Sequence, residues 1–247
     1  MKPKVIIFDN IRELTTHASD LIAEEIEKKK GLVLGLPTGK TVIPLYKQLI
    51  KDHKKKKVDF SKTNIFNLDE YMGVNPNKKR SFQYFMHNSL FKKINVKQKN
   101  IHFLSSQIAN IKRRAEEYEK EIKKAGGIDL QLLGLGVNGH IAFNEPGSPF
   151  NSRTREIILS HETKVSNFGR FHSILRAPKR AITMGLSTIL EAKRIVLLAT
   201  GKHKAKAVKA MVDGPVTTDC PASALKKHKD VLILLDKKSA SLLKSKH

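Results

Sequence analysis

The chain has 247 residues, 40% of them hydrophobic, which suits a substantial core and argues against a disordered chain. Its longest apolar runs, such as Ile195–Ala199 and Val231–Leu235, are far too short to cross a bilayer, and Met1–Asn10 carries no signal-peptide pattern. The single cysteine, Cys220, excludes an internal disulfide, and a formal net charge of +24 comes with 6% aromatic residues and no Trp, which leaves few stacking platforms for single-stranded nucleic acid. We therefore expect a soluble, cytoplasmic protein with a lysine-rich surface and neither a nucleic-acid nor a membrane partner. A field of that sign also draws small phosphorylated substrates.

Val5–Phe8 reads as a strand, followed by a helix from a Thr15 or Thr16 cap to Lys30, closed by Gly31. Leu32–Leu36 is a second buried strand, ending at Pro37-Thr38-Gly39-Lys40-Thr41 before a helix carrying Ile43, Tyr46, Leu49 and Ile50. Asn64–Leu68 is a third strand, ending at Asp69-Glu70-Tyr71. Helices are expected over Ser81–Phe91 and Ile108–Lys124, with a brief strand at Ile101–Leu104 between them. Leu130–Leu135 is an apolar run that breaks into a glycine-rich turn and ends at Pro146. Further strands are expected at Thr154–Leu159, Arg180–Met184, Arg194–Ala199 and Val231–Leu235, with helices at Ser187–Ala192, Lys202–Val212 and Ser239–Lys244. The segment His161–Leu175 fits no pattern. Apolar strands alternating with helices predict one domain over residues 1–247: an α/β fold with a single doubly wound, mostly parallel sheet and helices on both faces. Ligands of such sheets bind beyond the strands' carboxyl ends.

Two glycine motifs mislead. Gly134-Leu135-Gly136-Val137-Asn138-Gly139 fits G-x-G-x-x-G, but Pro146-Gly147 interrupt where a Rossmann turn must feed a helix, and no ribose-binding acid is placed about 20 residues on. Gly35-Leu36-Pro37-Thr38-Gly39-Lys40-Thr41 resembles a Walker A loop that is one residue short. It still suits a single phosphate, held by helix N-terminal amides, the Thr41 hydroxyl and the Lys40 ammonium. The ends at Leu36, Leu68, Leu135 and Ala199 thus offer a phosphate cradle, a carboxylate, a His140–Glu145 pair and a Gly201-Lys202-His203-Lys204 turn. Read singly, Asp69 and Glu70 could be mere caps or solvated loop charges and His140 a core histidine; their convergence favours a site.

The segments Gly35–Gly39, Phe66–Tyr71 and Gly134–Pro146, with weaker matches at Ser152–Arg155, Met184-Gly185 and Pro221–Leu225, resemble the glucosamine-6-phosphate deaminases over nearly the whole chain. The resemblance implies a Rossmann-like fold of sugar-phosphate isomerase type, and conversion of glucosamine 6-phosphate and water to fructose 6-phosphate and ammonium with no metal or organic cofactor. It implies ring opening by His140, with Glu145 and Asn138 beside it, and C2-to-C1 proton transfer by Asp69. The phosphate would be held by Thr38, Gly39, Lys40 and Thr41, with Arg170 and Lys204 as basic clamps.

Asn138 stands where many members have Asp, and Lys40-Thr41-Val42 replaces a small residue, Thr and Pro. Ser148 and Arg155 match positions of the effector site that binds N-acetylglucosamine 6-phosphate in some members, but Ile157 replaces its lysine and the C-terminal tail is shorter, so such control is not expected. The resemblance leaves the assembly open between monomer and homo-oligomer. The competing readings are a 6-phosphogluconolactonase-like hydrolase, a non-catalytic sugar-phosphate sensor, a P-loop NTPase and a polyanion-binding protein.

Overall fold

The computed structural model describes residues 3–105, 110–160, 163–165 and 177–244. Its strands are β1 (Lys4–Phe8), β2 (Val33–Leu36), β3 (Asn64–Asn67), β4 (Asp69–Tyr71), β5 (Ile101–His102), β6 (Leu130–Gly134), β7 (Arg155–Ile158), β8 (Arg180–Thr183), β9 (Arg194–Ala199) and β10 (Val231–Asp236). Its helices are α1 (Ile11–Lys28), α2 (Ile43–Lys54), α3 (Phe82–Ser89), α4 (Ile111–Lys124), α5 (Leu186–Leu190) and α6 (Ala205–Val212).

Seven strands form a parallel sheet in the order β1-β10-β9-β6-β2-β3-β5. Successive residues enter opposite apolar layers. Ile195, Leu197 and Ala199 pack with Tyr118, Ile122, Ile189 and Met211 from α4, α5 and α6. Val196 and Leu198 pack with Leu14, Ile22, Tyr46, Leu49 and Met86 from α1, α2 and α3. Burial on both faces is why these strands read as unbroken apolar runs. From β2 the chain winds outward through β3 to β5, then returns to β6 on the other side of β2 and continues through β9 and β10. The winding reverses between β2 and β6, the place beyond whose carboxyl ends sheets of this kind bind ligands.

A second sheet, antiparallel with order β4-β8-β7, extends the expected architecture. The expected strand Asn64–Leu68 ends at Asn67, and Leu68 is the step between sheets, its carbonyl accepting from Met184 N at 2.7 Å. Asp69-Glu70-Tyr71, expected as a loop, is the edge strand β4, paired with Thr183, Ile182 and Ala181. A small aromatic cluster of Tyr71, Phe82 and Phe143 fills the space beneath it.

Three boundaries differ from expectation. α1 begins at Ile11, because Asn10 accepts from Glu13 N at 3.0 Å while Glu13 reaches back to the Asn10 amide at 2.8 Å and to Asp9 N at 3.3 Å. This reciprocal cap precedes Thr15, whose hydroxyl bonds inside the helix to Ile11 O at 2.9 Å. Ser239–Lys244 is turn rather than helix, as Asp236 accepts from Ser239 N at 2.8 Å and the Ser239 hydroxyl donates to Ala199 O at 2.8 Å. α4 starts at Ile111, where Asn110 accepts from Arg113 N at 2.9 Å. The segment His161–Leu175 lies mostly outside the described residues, and Lys202–Lys204 forms a single 3-10 turn before α6. Basic residues fill the last turns of α1, α2 and α4, where the helix dipole favours them. Among the described residues, no helix is long and apolar enough to cross a membrane.

Asn10→Ala removes the side-chain half of the α1 cap and is expected to lower stability by about 1 kcal/mol, read by chemical denaturation.

Candidate functional site

The carboxyl ends of β2, β3, β6 and β9, neighbours in the parallel sheet, bring the expected site segments together. After β2, Gly39 adopts φ 107°, a conformation open to glycine, and turns the chain into the 3-10 turn Lys40–Val42 that leads into α2. Neither the turn nor α2 has a side-chain cap, so its first N–H groups are available to an anion. Thr38 and Thr41 are partly exposed, and Gly39 and Lys40 are exposed. The buried Tyr46 hydroxyl donates to Pro37 O and pins the loop to α2.

The same turn packs against β9, and the loop after β9 carries Lys204. Asp236 accepts from Gly201 N at 3.0 and 3.1 Å and fixes that loop. Lys204 is half-buried and forms no ion pair among the described residues. Burial alone lowers its pKa, to about 8. A desolvated cation beside uncapped amides suits a phosphate. Arg170, the other expected clamp, lies outside the described residues.

The turn after β6 holds His140. Gly136 N donates to His140 O at 2.9 Å, and a Cβ on Gly136 would lie 2.4 Å from the imidazole. Gly139 has φ 86°, and a Cβ there would lie 2.7 Å from Cys220 Sγ. The glycines thus make room for protein side chains. The turn runs on to the extended β7 with no helix between, so the dinucleotide fingerprint lacks the helix N-terminus it requires.

Three polar side chains lock together. Asn138 Nδ2 donates to Glu145 Oε2 at 2.9 Å, and Asn138 Oδ1 lies 2.8 Å from His140 Nδ1. Glu145 also accepts from Ser160 at 3.1 Å and from the Thr163 hydroxyl. Burial would raise the Glu145 pKa, but the neighbouring His140, the Thr163 hydroxyl and the Asn138 amide override it and hold the carboxyl at about 2. An ionised carboxylate only accepts, so the amide must turn its NH2 toward Glu145 and its oxygen toward the ring. The imidazole proton then sits on Nδ1, leaving the Nε2 lone pair for a ligand. Glu145 itself is 3.6 Å from His140 Nδ1, so its charge acts on the ring directly as well as through Asn138.

The adjacent acids divide their roles. Glu70 accepts from Tyr71 N and Phe82 N at 2.9 Å, Gln83 N at 3.0 Å and Ser81 Oγ at 2.6 Å, capping α3. Asp69 is 6% exposed, and its Oδ1 has no hydrogen-bond partner. Burial, with a smaller contribution from the Glu70 charge, raises its pKa to about 8. An unpartnered buried carboxyl close to neutrality is poised for proton transfer.

Sequence patterns did not reveal Ser160 and Thr163 as partners of Glu145, nor Tyr46 as the loop anchor. The first two lie far along the chain, and Tyr46 reads only as part of an apolar helix face. Asn144, buried, donates to Met184 O at 2.8 Å and accepts from Arg155 at 2.9 Å, securing the segment that carries Glu145. Arg155 also reaches Ser148 Oγ at 3.3 Å.

Residues 9–234 match the profile of a family described as glucosamine-6-phosphate isomerases/6-phosphogluconolactonase. The chain belongs to this family. It is 45% identical over 240 residues to a glucosamine-6-phosphate deaminase of Thermoanaerobacter sp. (strain X514), covering 97% of this chain and 95% of the relative. It is 47% identical over 244 residues to glucosamine-6-phosphate deaminase 2 of Bacillus subtilis (strain 168), covering 98% of each. A solved structure of a monomeric glucosamine-6-phosphate deaminase superposes with TM-score 0.94 at 40% identity, covering 97% of this chain and 100% of that one. A 6-phosphogluconolactonase from Trypanosoma brucei, at 22% identity and TM-score 0.79 over 98% of this chain and 99% of that one, shares the fold. Within the family, the doubly wound sheet is common ground, and activity must be read from the site.

Because Asp69 keeps its proton in the fold up to about pH 8, whereas an unfolded Asp loses it near pH 4, wild-type stability falls as pH climbs through that window. Asp69→Asn is expected to melt higher than wild type at pH 8, by a few kcal/mol in order of magnitude, with the gap closing toward pH 4. Thermal unfolding across that range checks it, and an advantage independent of pH would contradict the buried-acid assignment.

Proposed function

We propose that the chain converts glucosamine 6-phosphate and water to fructose 6-phosphate and ammonium. The observation that supports this reading best is the separation of two proton-transfer groups: an imidazole with its Nε2 free, and an unpartnered buried carboxyl on another strand end. The phosphate sits on the Thr38–Thr41 turn, near Lys204, with Lys40 and Arg170 contributing charge. Nε2 of His140 takes the anomeric hydroxyl proton and returns it to the ring oxygen as the C1–O bond breaks. Asn138 holds the required tautomer, and ionised Glu145 holds Asn138.

In the open aldehyde, Asp69 removes the proton from C2, and the electron pair moves into a C1–C2 double bond as O1 is protonated. Return of a proton to C1, with loss of one from nitrogen, leaves an iminium at C2. Water adds there, and the C–N bond breaks to release ammonia, which takes up a proton. Lactone hydrolysis needs no base at C2, so Asp69 argues against the lactonase reading, and a sensor would need no proton acceptor there. Small sugar phosphates are thus the partners, and we infer a soluble, cytoplasmic setting from the single cysteine and from the metabolic relatives.

Following ammonium and fructose 6-phosphate together tests the reaction: both appear in equal amounts, whereas lactone cleavage without deamination would establish the lactonase. For the mechanism, Asp69→Asn is expected to abolish C2 proton exchange in heavy water by a factor of about 10² or more. Asn138→Asp sets a second carboxylate beside the ring and favours its charged form, so the acid limb of the pH–rate profile moves to higher pH. Lys204 loses its charge above about pH 8 in the free protein, so KM rises on the alkaline side, and Lys204→Gln raises KM about tenfold or more at neutral pH with a smaller change in kcat.

A further inference from the structure

The seven strands of the parallel sheet run in one direction, so every segment that enters a strand does so at one pole, away from the His140 turn. Along the chain the lysines lie in scattered short clusters, but the topology gathers many of them at that pole. Exposed lysines stand at all seven entries. Across the sheet, Lys4 opens β1, Lys229 precedes β10, Lys193 precedes β9, and Lys123 and Lys124 close α4 ahead of β6. Lys28, Lys29 and Lys30 precede β2. Lys54 to Lys57 and Lys62 fill the stretch from the end of α2 to β3, and Lys97 and Lys99 lead into β5.

Bonds between neighbouring entries join them into one surface. Asp129 holds Lys29 at 2.6 Å and Lys193 at 2.7 Å, and Arg194 reaches Glu25 at 3.3 Å and Asp230 at 3.6 Å. Asn95, ahead of β5, donates to Asp59, ahead of β3, at 2.6 Å. Acids at these entries, chiefly Glu25, Glu27, Asp59, Asp129, Glu191 and Asp230, are fewer than the lysines, so the pole is positive. A lysine at a helix C-terminus answers the helix dipole, but Lys4, Lys62, Lys193 and Lys229 stand in strand or turn.

Seven strands about 4.8 Å apart make this row about 29 Å long. Duplex nucleic acid carries one phosphate per about 1.7 Å of its axis, so the same length presents about 17 negative charges. Lysines bind phosphate as point charges and read no base edges. The low aromatic content, 6% with no Trp, leaves little for base stacking. Among the described residues, no exposed large apolar side chain flanks these entries, so a lipid surface finds no anchor there. We propose that the strand-entry pole is a docking surface for the phosphate backbone of duplex nucleic acid, bound without regard to sequence. The strand ends at the other pole stay open to a small substrate.

Fluorescence anisotropy with a labelled 20-base-pair DNA, over a series of salt concentrations, tests the surface. The wild type binds with a dissociation constant in the micromolar range near 50 mM salt, and the log–log salt slope is about −4 or steeper. Lys30→Glu, Lys54→Glu, Lys62→Glu and Lys124→Glu together weaken binding about tenfold or more and flatten the slope by about 3. Lys79→Glu, Lys112→Glu, Lys206→Glu and Lys238→Glu change the net charge equally but lie away from this pole, and they weaken binding about threefold at most. Thermal melting reports whether each variant is folded. Should the first set fail to fold, Lys4→Glu, Lys57→Glu, Lys99→Glu and Lys229→Glu carry the same expectation.

Equal loss in the pole and control variants would overturn the proposal, since net charge alone would then govern binding. Displacement of the duplex by glucitol 6-phosphate would place it in the sugar-phosphate site instead. Binding to phosphatidylserine vesicles without binding to the duplex, or no binding to either, likewise rejects it. The outcome is independent of the deamination assay, which reads the opposite pole.

Discussion

A parallel sheet covered on both faces leaves polar groups little room except at and beyond its strand ends, Gln131 in β6 being a buried exception, and this constraint shapes the molecule. The strand interiors are apolar from face to face, as in Ile195–Ala199, where alternate residues serve opposite layers. Chemistry is displaced to the carboxyl ends, where helix N-termini also converge. The winding reverses between β2 and β6, so the uncapped turn after β2 and the His140 turn after β6 share the space beyond neighbouring strand ends.

Within that space, two carboxyls of ordinary type are driven in opposite directions. Glu145 is surrounded by donors and held at about 2, while Asp69 is buried with no partner at Oδ1 among the described residues and raised to about 8. The first can only accept hydrogen bonds and so fixes the Asn138 amide and, through it, the tautomer of His140. The second can exchange a proton near neutrality. One fold thereby supports a charged orienting group and a titrating one at different strand ends. Asn138, a neutral amide, adds no second negative charge beside Glu145 while offering an oxygen to the imidazole.

The second, antiparallel sheet serves the same end. Changing sheets at Leu68 turns β4 so that Glu70 reaches the N-terminus of α3 and Asp69 is enclosed. Strands at Thr154–Leu159 and Arg180–Met184 were legible and became β7 and β8, but β4 reads as charged loop, so their antiparallel pairing in a separate sheet was not. Adjacent acids gave no indication of which was the cap and which stayed buried with an unpartnered oxygen. Only the donors around Glu70, contributed by Ser81–Gln83, distinguish them. A similar shift of partner explains α1, where Glu13 closes the cap at Asn10 and leaves Thr15 inside the helix.

What the sequence determined by itself were the features that depend on neighbours along the chain. These are the apolar runs that become central strands, the glycines that open their end loops, the proline that denies the G-x-G-x-x-G turn a helix, and the residue types Thr38–Thr41, Asp69, His140 and Glu145. Local sterics and periodicity suffice for these. Tertiary structure decided which groups are charged, oriented or left without a partner, because desolvation and hydrogen bonding depend on residues far apart in sequence. Thr163 on Glu145, Tyr46 on Pro37 and Thr183 opposite Asp69 are contacts of that kind, and no spacing encodes them.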